Sequence, residues 1–427
     1  TLTAFIRGLG QQDPLWGYEP GVGIYIDDVY VARPQGAVLD LLDVQRIEVL
    51  RGPQGTLYGK NTIGGAVKYV TKDMVGDPTF NIEGTVGNYG RKDVKVTGQY
   101  PLVEDKVYLG FGYANLNRDG YGEFLQSALE GQNRENYNKD LWAARLTLEA
   151  HITDDLFFRL GWDKTEDTSN AKGGYRLLPS IVSDAPVPDS VYDSYTSLPT
   201  WNKVELEGYS WLMRYDVSDN LELKYIGSHR ESYSPTNIDF DNTAVDIFDV
   251  PAIYEDENDT HELQANLLGD NFTLVSGLYY YDGESCGQFE AVLGLLGRAA
   301  FGTPGLTREV SGCNNSESVA VYGQLNYDIT DKLSVSVGAR YTDEEKQATV
   351  FNGLVFDNVY PESGWIPGYV RPDGQLVPQV LGSDSDGDGV LDSPAVESWS
   401  RFTPRVGVEY QMSRDTMFFA SYSQGFK

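Results

Sequence analysis

Two regularities, taken together, restrict this chain more than anything else in it: side chains alternate with a period of two, and short connections alternate with long ones. From about residue 79 onward, segments of ~10 residues alternate apolar with small or polar side chains, the pattern of strands with different surroundings on their two faces. In the run from Leu333 to Thr342, Leu333, Val335, Val337, Ala339 and Tyr341 share one face and Ser334, Ser336, Gly338, Arg340 and Thr342 the other. Trp142, Ala144, Leu146 and Leu148 alternate with Ala143, Arg145, Thr147 and Glu149, and Phe272, Leu274 and Leu278 with Thr273, Val275 and Tyr279. A half-exposed soluble sandwich would also alternate in this way.

Connection lengths favour a different architecture. Short polar turns fall at Pro101 to Lys106, His151 to Asp155, Val217 to Asn220, Gly269 to Asn271, Asp328 to Lys332 and Met412 to Asp415. Between them lie long excursions, roughly Arg118 to Asn138, Thr168 to Glu205, Ser232 to Asn258, Asp282 to Ser316 and Asp343 to Ser398. Strict alternation puts the tight turns at one rim and the large loops at the other, as in a transmembrane antiparallel barrel. No stretch approaches the ~20 consecutive apolar residues of a spanning helix, so a bilayer could be crossed only by strands whose backbone groups pair in a closed sheet. The pattern yields about thirteen strands, the last running into Lys427. An unpaired last strand would leave backbone groups unsatisfied in lipid, so a fragment of a larger barrel is expected.

Composition narrows the functions. With 63 acidic and 33 basic residues the net charge is −30, which argues against a nucleic-acid partner. The 29 tyrosines, 17 phenylalanines and 46 glycines suit strands and turns better than helices. Enzymatic chemistry finds little support, because His151 lies in a turn and His229 and His261 on separate strands with no evident nucleophile beside them. His229 and His261 remain open as ligands near the rim. Cys286 and Cys313, 27 positions apart, match no zinc or thioredoxin spacing and suit one disulfide within a predicted external loop. Asp384, Asp386, Asp388 and Asp392 alternate around turn-forming glycines, as a calcium loop would require. The twelfth position, Ala395, lacks the expected carboxylate, so structural calcium and a solvated acidic turn both remain open. No cofactor is required.

Residues 1–75 read as a small mixed α/β domain, distinct from the strand-rich 76–427. Arg46, Glu48 and Arg51 alternate with Ile47, Val49 and Leu50 along a strand, either as a solvated face or as an internally paired one. Gly52-Pro53 and Tyr58-Gly59 mark turns, and Gly64-Gly65 permits close backbone approach. The run from Val49 through Leu57 to Val67, VLRGPQGTLYGKNTIGGAV, resembles the plug signature of TonB-dependent outer-membrane receptors. Arg7-Gly8 is similar to the family's earlier Arg-Gly element, and the likeness covers about residues 5–71. The barrel likeness of 79–427 is generic, with about thirteen of the roughly 22 strands the family implies.

The resemblance implies a plug inside the barrel lumen, residence in the outer membrane of a Gram-negative bacterium, and non-enzymatic import of a scarce nutrient. A ferric siderophore is the commonest cargo it implies; cobalamin and oligosaccharides are alternatives, and a passive pore or adhesin is another class. TonB, with ExbB and ExbD, would supply energy through a TonB box not present in this chain. Outer-membrane lipid and the ligand complete the implied partners. Two plug segments match the family's apical loops: one carries Gln11, Gln12, Asp13, Trp16 and Tyr18, the other Arg33 and Gln35. They offer polar groups beside flat rings, suited to a polar organic chelate, and could alternatively wedge the plug against the wall.

Overall fold

A computed structural model describes residues 4–10, 16, 18–32, 44–126, 133–359, 377–381 and 395–426. The N-terminal part holds a two-stranded ribbon, β1 (Phe5–Ile6) and β2 (Leu9–Gly10), followed by β3 (Val22–Ile26), β4 (Val29–Val31), β5 (Val44–Arg51) and β6 (Gly65–Thr71). The last four form one sheet in the order β4-β3-β6-β5, with β3 parallel to β6 and the other neighbours antiparallel. Asp27 and Asp28 join β3 to β4 with φ of 49° and 71°, two successive left-handed residues as a tight hairpin turn requires. Short aspartate side chains tolerate that conformation.

Most of the remaining residues build one long antiparallel sheet. It runs in chain order through β7 (Thr79–Val86), β8 (Lys92–Val103), β9 (Val107–Arg118), β12 (Lys139–His151), β13 (Leu156–Asp167), β15 (Val204–Ser218) and β16 (Leu221–Asp239). It continues through β17 (Asp249–Leu268), β18 (Phe272–Val292), β19 (Thr307–Thr330), β20 (Leu333–Val355), β22 (Ala395–Ser413) and β23 (Thr416–Ser423). β21 (Val377–Leu381) adds to the far end of β20. The six tight turns fall where the sequence places them. β10 (Gly122–Gln126), β11 (Glu135–Asn136) and β14 (Ser194–Tyr195) form a separate small sheet within the long connections.

Several expected loops are in fact strand. β16 extends to Asp239 and β17 begins at Asp249, β18 reaches Val292 and β19 begins at Thr307, and β20 continues to Val355. These extensions escaped the alternation rule because apolar side chains are no longer confined to the outward face: on β17, Glu255 and Glu257 point outward while Ala252 and Tyr254 are buried on the lumen side, next to Trp16. Glu207, Glu231, Glu257 and Glu284 even lie in one row across four strands. Like charges directly opposite one another weaken a sheet, but water solvates them and the backbone ladder continues in register.

The two faces of the sheet are inverted relative to a soluble protein. On β20, Val337 and Tyr341 are 52% and 49% exposed, while Arg340, Thr342 and Glu344 are at most 3% exposed. On β12, Leu146 is exposed and Glu149 buried. The sandwich alternative demands the opposite, an apolar face packed dry against its partner. Here the polar face is covered by the N-terminal sheet, and a band of exposed apolar side chains faces outward as lipid contact requires.

Candidate functional site

The plug is fixed in the concave side of the wall by polar contacts between residues far apart in sequence. Lys60, in the signature turn, lies 3.2 Å from Glu19 and 3.1 Å from Glu344, donates to Ser316 Oγ at 3.1 Å, and sits over the Tyr281 ring at 4.3 Å. Lys346 closes the cluster with contacts of 2.8 Å to Glu19 and 3.6 Å to Glu344. Burial alone would raise the Glu19 pKa, but Lys60 and Lys346 hold it well below the usual carboxylate range. Burial likewise disfavours a charged Lys60, and Glu19 and Glu344 more than reverse this. Opposite charges from plug and wall thus meet in one buried cluster, as buried charges need.

Around it lies a core of aromatic rings. Tyr25, Tyr30 and Tyr281 are buried together, with Tyr58 against Tyr25 at a ring separation of 4.9 Å. Tyr25 donates to the Tyr58 carbonyl and Asn61 Nδ2 to the Tyr30 hydroxyl. Burial pushes both tyrosine hydroxyls up, so they stay neutral. Nearer the turn rim, Asp27 takes hydrogen bonds from Thr71 and pairs with Arg145 of β12 at 3.0 Å. Burial opposes its ionisation, yet Arg145 and the Thr71 N–H hold its carboxyl below the ordinary value. Arg159 of β13 bridges Asp73 and Glu149 at 2.7 and 2.6 Å.

The plug-signature residues divide by environment. Arg46 pairs with Glu48 at 2.6 Å on the exposed side of β5, so the pairing and the solvated face coexist. Gly59 (φ +77°) lies against Arg340, and an added Cβ would stand 2.8 Å from that guanidinium. Gly65 (φ +141°) leaves 2.1 Å between such a Cβ and the Leu50 carbonyl oxygen. Arg7 and Gly8 both have positive φ, Arg51 is exposed and Pro53 half-buried. The Pro53 carbonyl accepts from Ser423 of β23, and the Gly52 and Gly64 backbones are joined by a hydrogen bond.

Of the expected ligand contacts, Trp16 is 8% exposed, buried against Tyr254 and Phe289 of the wall, whereas Tyr18 is 59% exposed. Gln11, Gln12, Asp13, Arg33 and Gln35 lie outside the described residues, as do Asp384, Asp386, Asp388 and Asp392. Cys286 and Cys313 form a disulfide, and they sit directly opposite each other on β18 and β19, not in a free loop. His229 contacts Asp259 and Glu231 at 3.1 Å each, and His261 stacks beside Tyr225 and Tyr280. Sequence reasoning did not single out Glu19, Lys60, Glu344, Lys346 or Tyr281. Carrying the even-numbered face of β20 two steps past Thr342 would have reached Glu344 and Lys346.

The cleft between the plug apex and the wall, at Glu19, Tyr30, Asn258, Ser285 and Asn314, encloses about 20 Å³. That is room for about one water. A cavity of about 440 Å³ is lined by Glu207, Glu231, Glu257 and Glu284, on the strand face that also carries exposed Tyr209 and Leu263. It therefore lies outside the lumen. A third space of about 300 Å³ flanks the segment joining plug to wall, beside Thr71, Met74, Gln99 and Glu149.

A strand wall, apolar outside and polar inside, with a separately folded domain held by ion pairs on its inner face, defines a plugged outer-membrane β-barrel. The TonB dependent receptor-like, beta-barrel model matches residues 162–427 and the TonB-dependent Receptor Plug Domain model residues 2–66. The chain belongs to the TonB-dependent receptor family, whose home is the Gram-negative outer membrane. It is 26% identical to the pesticin receptor of Yersinia enterocolitica over 379 residues, covering 85% of this chain and 50% of that receptor. In structure it is similar to the ferric yersiniabactin uptake receptor of Yersinia pestis, with a TM-score of 0.70 and 18% identity over 96% of this chain and 56% of that one. The siderophore receptor PiuA of Acinetobacter baumannii gives 0.69 and 13% identity over 99% and 60%. The chain spans about half the length of the relatives it matches.

Proposed function

We propose that this chain is the plug and part of the barrel of an active importer that takes up a ferric siderophore across the outer membrane. The observation that carries this reading is the grip of the inner wall on the plug through the fourfold ion cluster at Lys60, which joins residues of both. A passive pore needs an open aqueous path; a gated importer needs a plug that seals and can be displaced. Ligand would dock from outside on the plug apices, with Gln11, Gln12, Asp13, Trp16, Tyr18, Arg33 and Gln35 as the proposed contacts. Energy transmitted by TonB, with ExbB and ExbD, would then shift the plug, moving an equilibrium that ligand alone biases only by its differential affinity.

The siderophore assignment draws on similar solved structures described as a ferric yersiniabactin uptake receptor and a siderophore receptor, although another similar structure is described as a copper transporter. Uptake of labelled ferric siderophores, cobalamin and oligosaccharides by cells producing the full-length receptor tests it. Accumulation of the iron chelate that stops on loss of TonB or of the proton gradient is the expected result. Accumulation insensitive to both would establish a passive pore, and exclusive uptake of cobalamin or glycan would replace the cargo.

A further inference from the structure

At the outer tip of the β16–β17 hairpin, Asp239, Asp241 and Asp249 bring carboxylate oxygens within 4.8 Å of one another. No lysine or arginine forms an ion pair with any of the three among the described residues. Their neighbour Asp246, on the same hairpin, is by contrast paired with Arg298. Asp249 is wholly buried, and while one of its oxygens accepts from Ser197 Oγ, the other is enclosed with no donor in reach. A buried carboxylate oxygen left without a partner beside two further carboxylates is costly unless a cation meets it.

We propose that Asp239, Asp241 and Asp249 bind a calcium ion that clamps the hairpin tip to the β13–β15 connection. Calcium takes hard oxygen ligands at about 2.3–2.6 Å, so oxygens on opposite sides of one ion lie up to about 5 Å apart. The three carboxylates meet that span as they stand. Two of them are already held by backbone donors: Asp239 by the N–H groups of Asn242 and Ser197, and Asp241 by those of Thr243 and Phe248. Asp241 Oδ1 already accepts from both the N–H and the Oγ1 of Thr243, so a metal would use Asp241 Oδ2, which accepts from the Phe248 N–H, together with the unpartnered Asp249 Oδ1 and an Asp239 oxygen. The ion would tie Ser197, from the connection after β13, to both strands of the hairpin, and so would order the outer surface of the receptor. This site is separate from the acidic run at Asp384 to Asp392.

Equilibrium dialysis of radioactive calcium against the full-length receptor in detergent, after chelator treatment, tests the assignment. Asp249→Asn and Asp241→Asn should each lose one bound calcium per receptor, while a receptor carrying Asp384→Asn and Asp386→Asn keeps that ion. Calcium should also slow proteolysis within residues 240–248 in the wild-type receptor and not in the variants. Asp241 is only half-buried, so its variant guards against a folding failure at Asp249. Equal calcium binding by wild type and both variants would overturn the proposal. So would an Asp249→Asn receptor that melts higher than wild type in chelator with its calcium content unchanged, because the cluster would then be only a strained group of acids. Loss of the protective ion in the Asp384 and Asp386 variant would move the site there and overturn it as well.

Discussion

Lys60 shows how much a single position in the plug signature can carry. It lies 3.2 Å from the plug acid Glu19 and 3.1 Å from the wall acid Glu344, so Lys60→Met should leave two buried carboxylates facing a single lysine, Lys346. Breaking a buried pair by removing one partner costs roughly 3–5 kcal/mol. Lys60→Met with Glu344→Gln should cost less than the sum of the two single changes, which chemical unfolding of the reconstituted receptor would measure. An additive result would show that the ions do not act as a unit. The pH dependence has a definite sign. The folded pKa of Glu19 lies below its ordinary 4.5, so its contribution is complete above that value and is lost as pH falls through the folded one. The folded pKa of Lys60 lies above its ordinary 10.5, so its contribution is complete below 10.5 and is lost as pH rises further. Glu19→Gln should flatten the acid limb of the melting curve and leave the alkaline limb in place. Gly59 was legible as a turn position and Gly65 as a place of close backbone approach, but the groups each one lies against were not. Gly65→Ala meets the Leu50 carbonyl, which cannot move without opening β5 from β6, whereas Gly59→Ala meets a flexible guanidinium. Both carry positive-φ strain of about 1–3 kcal/mol, so Gly65→Ala should be the more damaging when amide exchange across β6 is measured.

At the scale of the strand, the outward face and the inward face obey different solvents. Val337→Arg on the outward face of β20 should destabilise the barrel in liposomes by about 2–4 kcal/mol if it lies near the bilayer midplane. Ser336→Arg would instead place charge on the lumen side, where it must displace polar neighbours but meets no lipid. Equal costs would mean that the two faces do not differ as described. The disulfide acts on the same scale. Because Cys286 and Cys313 are register partners with β18 continuing six residues beyond, to Val292, reduction should raise amide exchange beyond the bridge, from Gly287 outward. The Phe272–Ser285 segment should remain protected. Uniform loss of protection along both strands would reject that division. Strand direction and tight-turn position were readable because lipid imposes alternation. The outer extensions were not, because outside the lipid the outward face turns polar while parts of the inward face pack on the plug, so the pattern is lost while the hydrogen-bond ladder persists.

For the whole molecule, import by plug displacement requires that the plug move relative to the wall. Thr56 Oγ1 donates to the Thr403 carbonyl and Thr403 Oγ1 to the Gly55 carbonyl, which places the two segments side by side. Cross-linking Thr56→Cys to Thr403→Cys should abolish uptake, preserve ligand binding, and restore uptake on reduction. Transport through the cross-linked receptor would rule out movement at this contact. The family signature and the alternation together indicated a plugged barrel, and that assignment holds. Neither indicated which wall residues grip the plug.

Alternation is a local consequence of two-faced surroundings, and tight turns follow from a few residues that tolerate them, so the number of wall strands, their order and the outward face were all written in neighbouring positions of the chain. The grip on the plug was not. Lys60 and Glu344 are 284 positions apart, and Thr56 and Thr403 are 347 apart. Such contacts arise only when a sheet curves around a second domain and brings one polar face against another. Likewise, Asp239 and Asp249 pair across a hairpin whose strands run eight and ten residues further than alternation reveals, and Ser197 reaches them only because another connection folds back over the same rim.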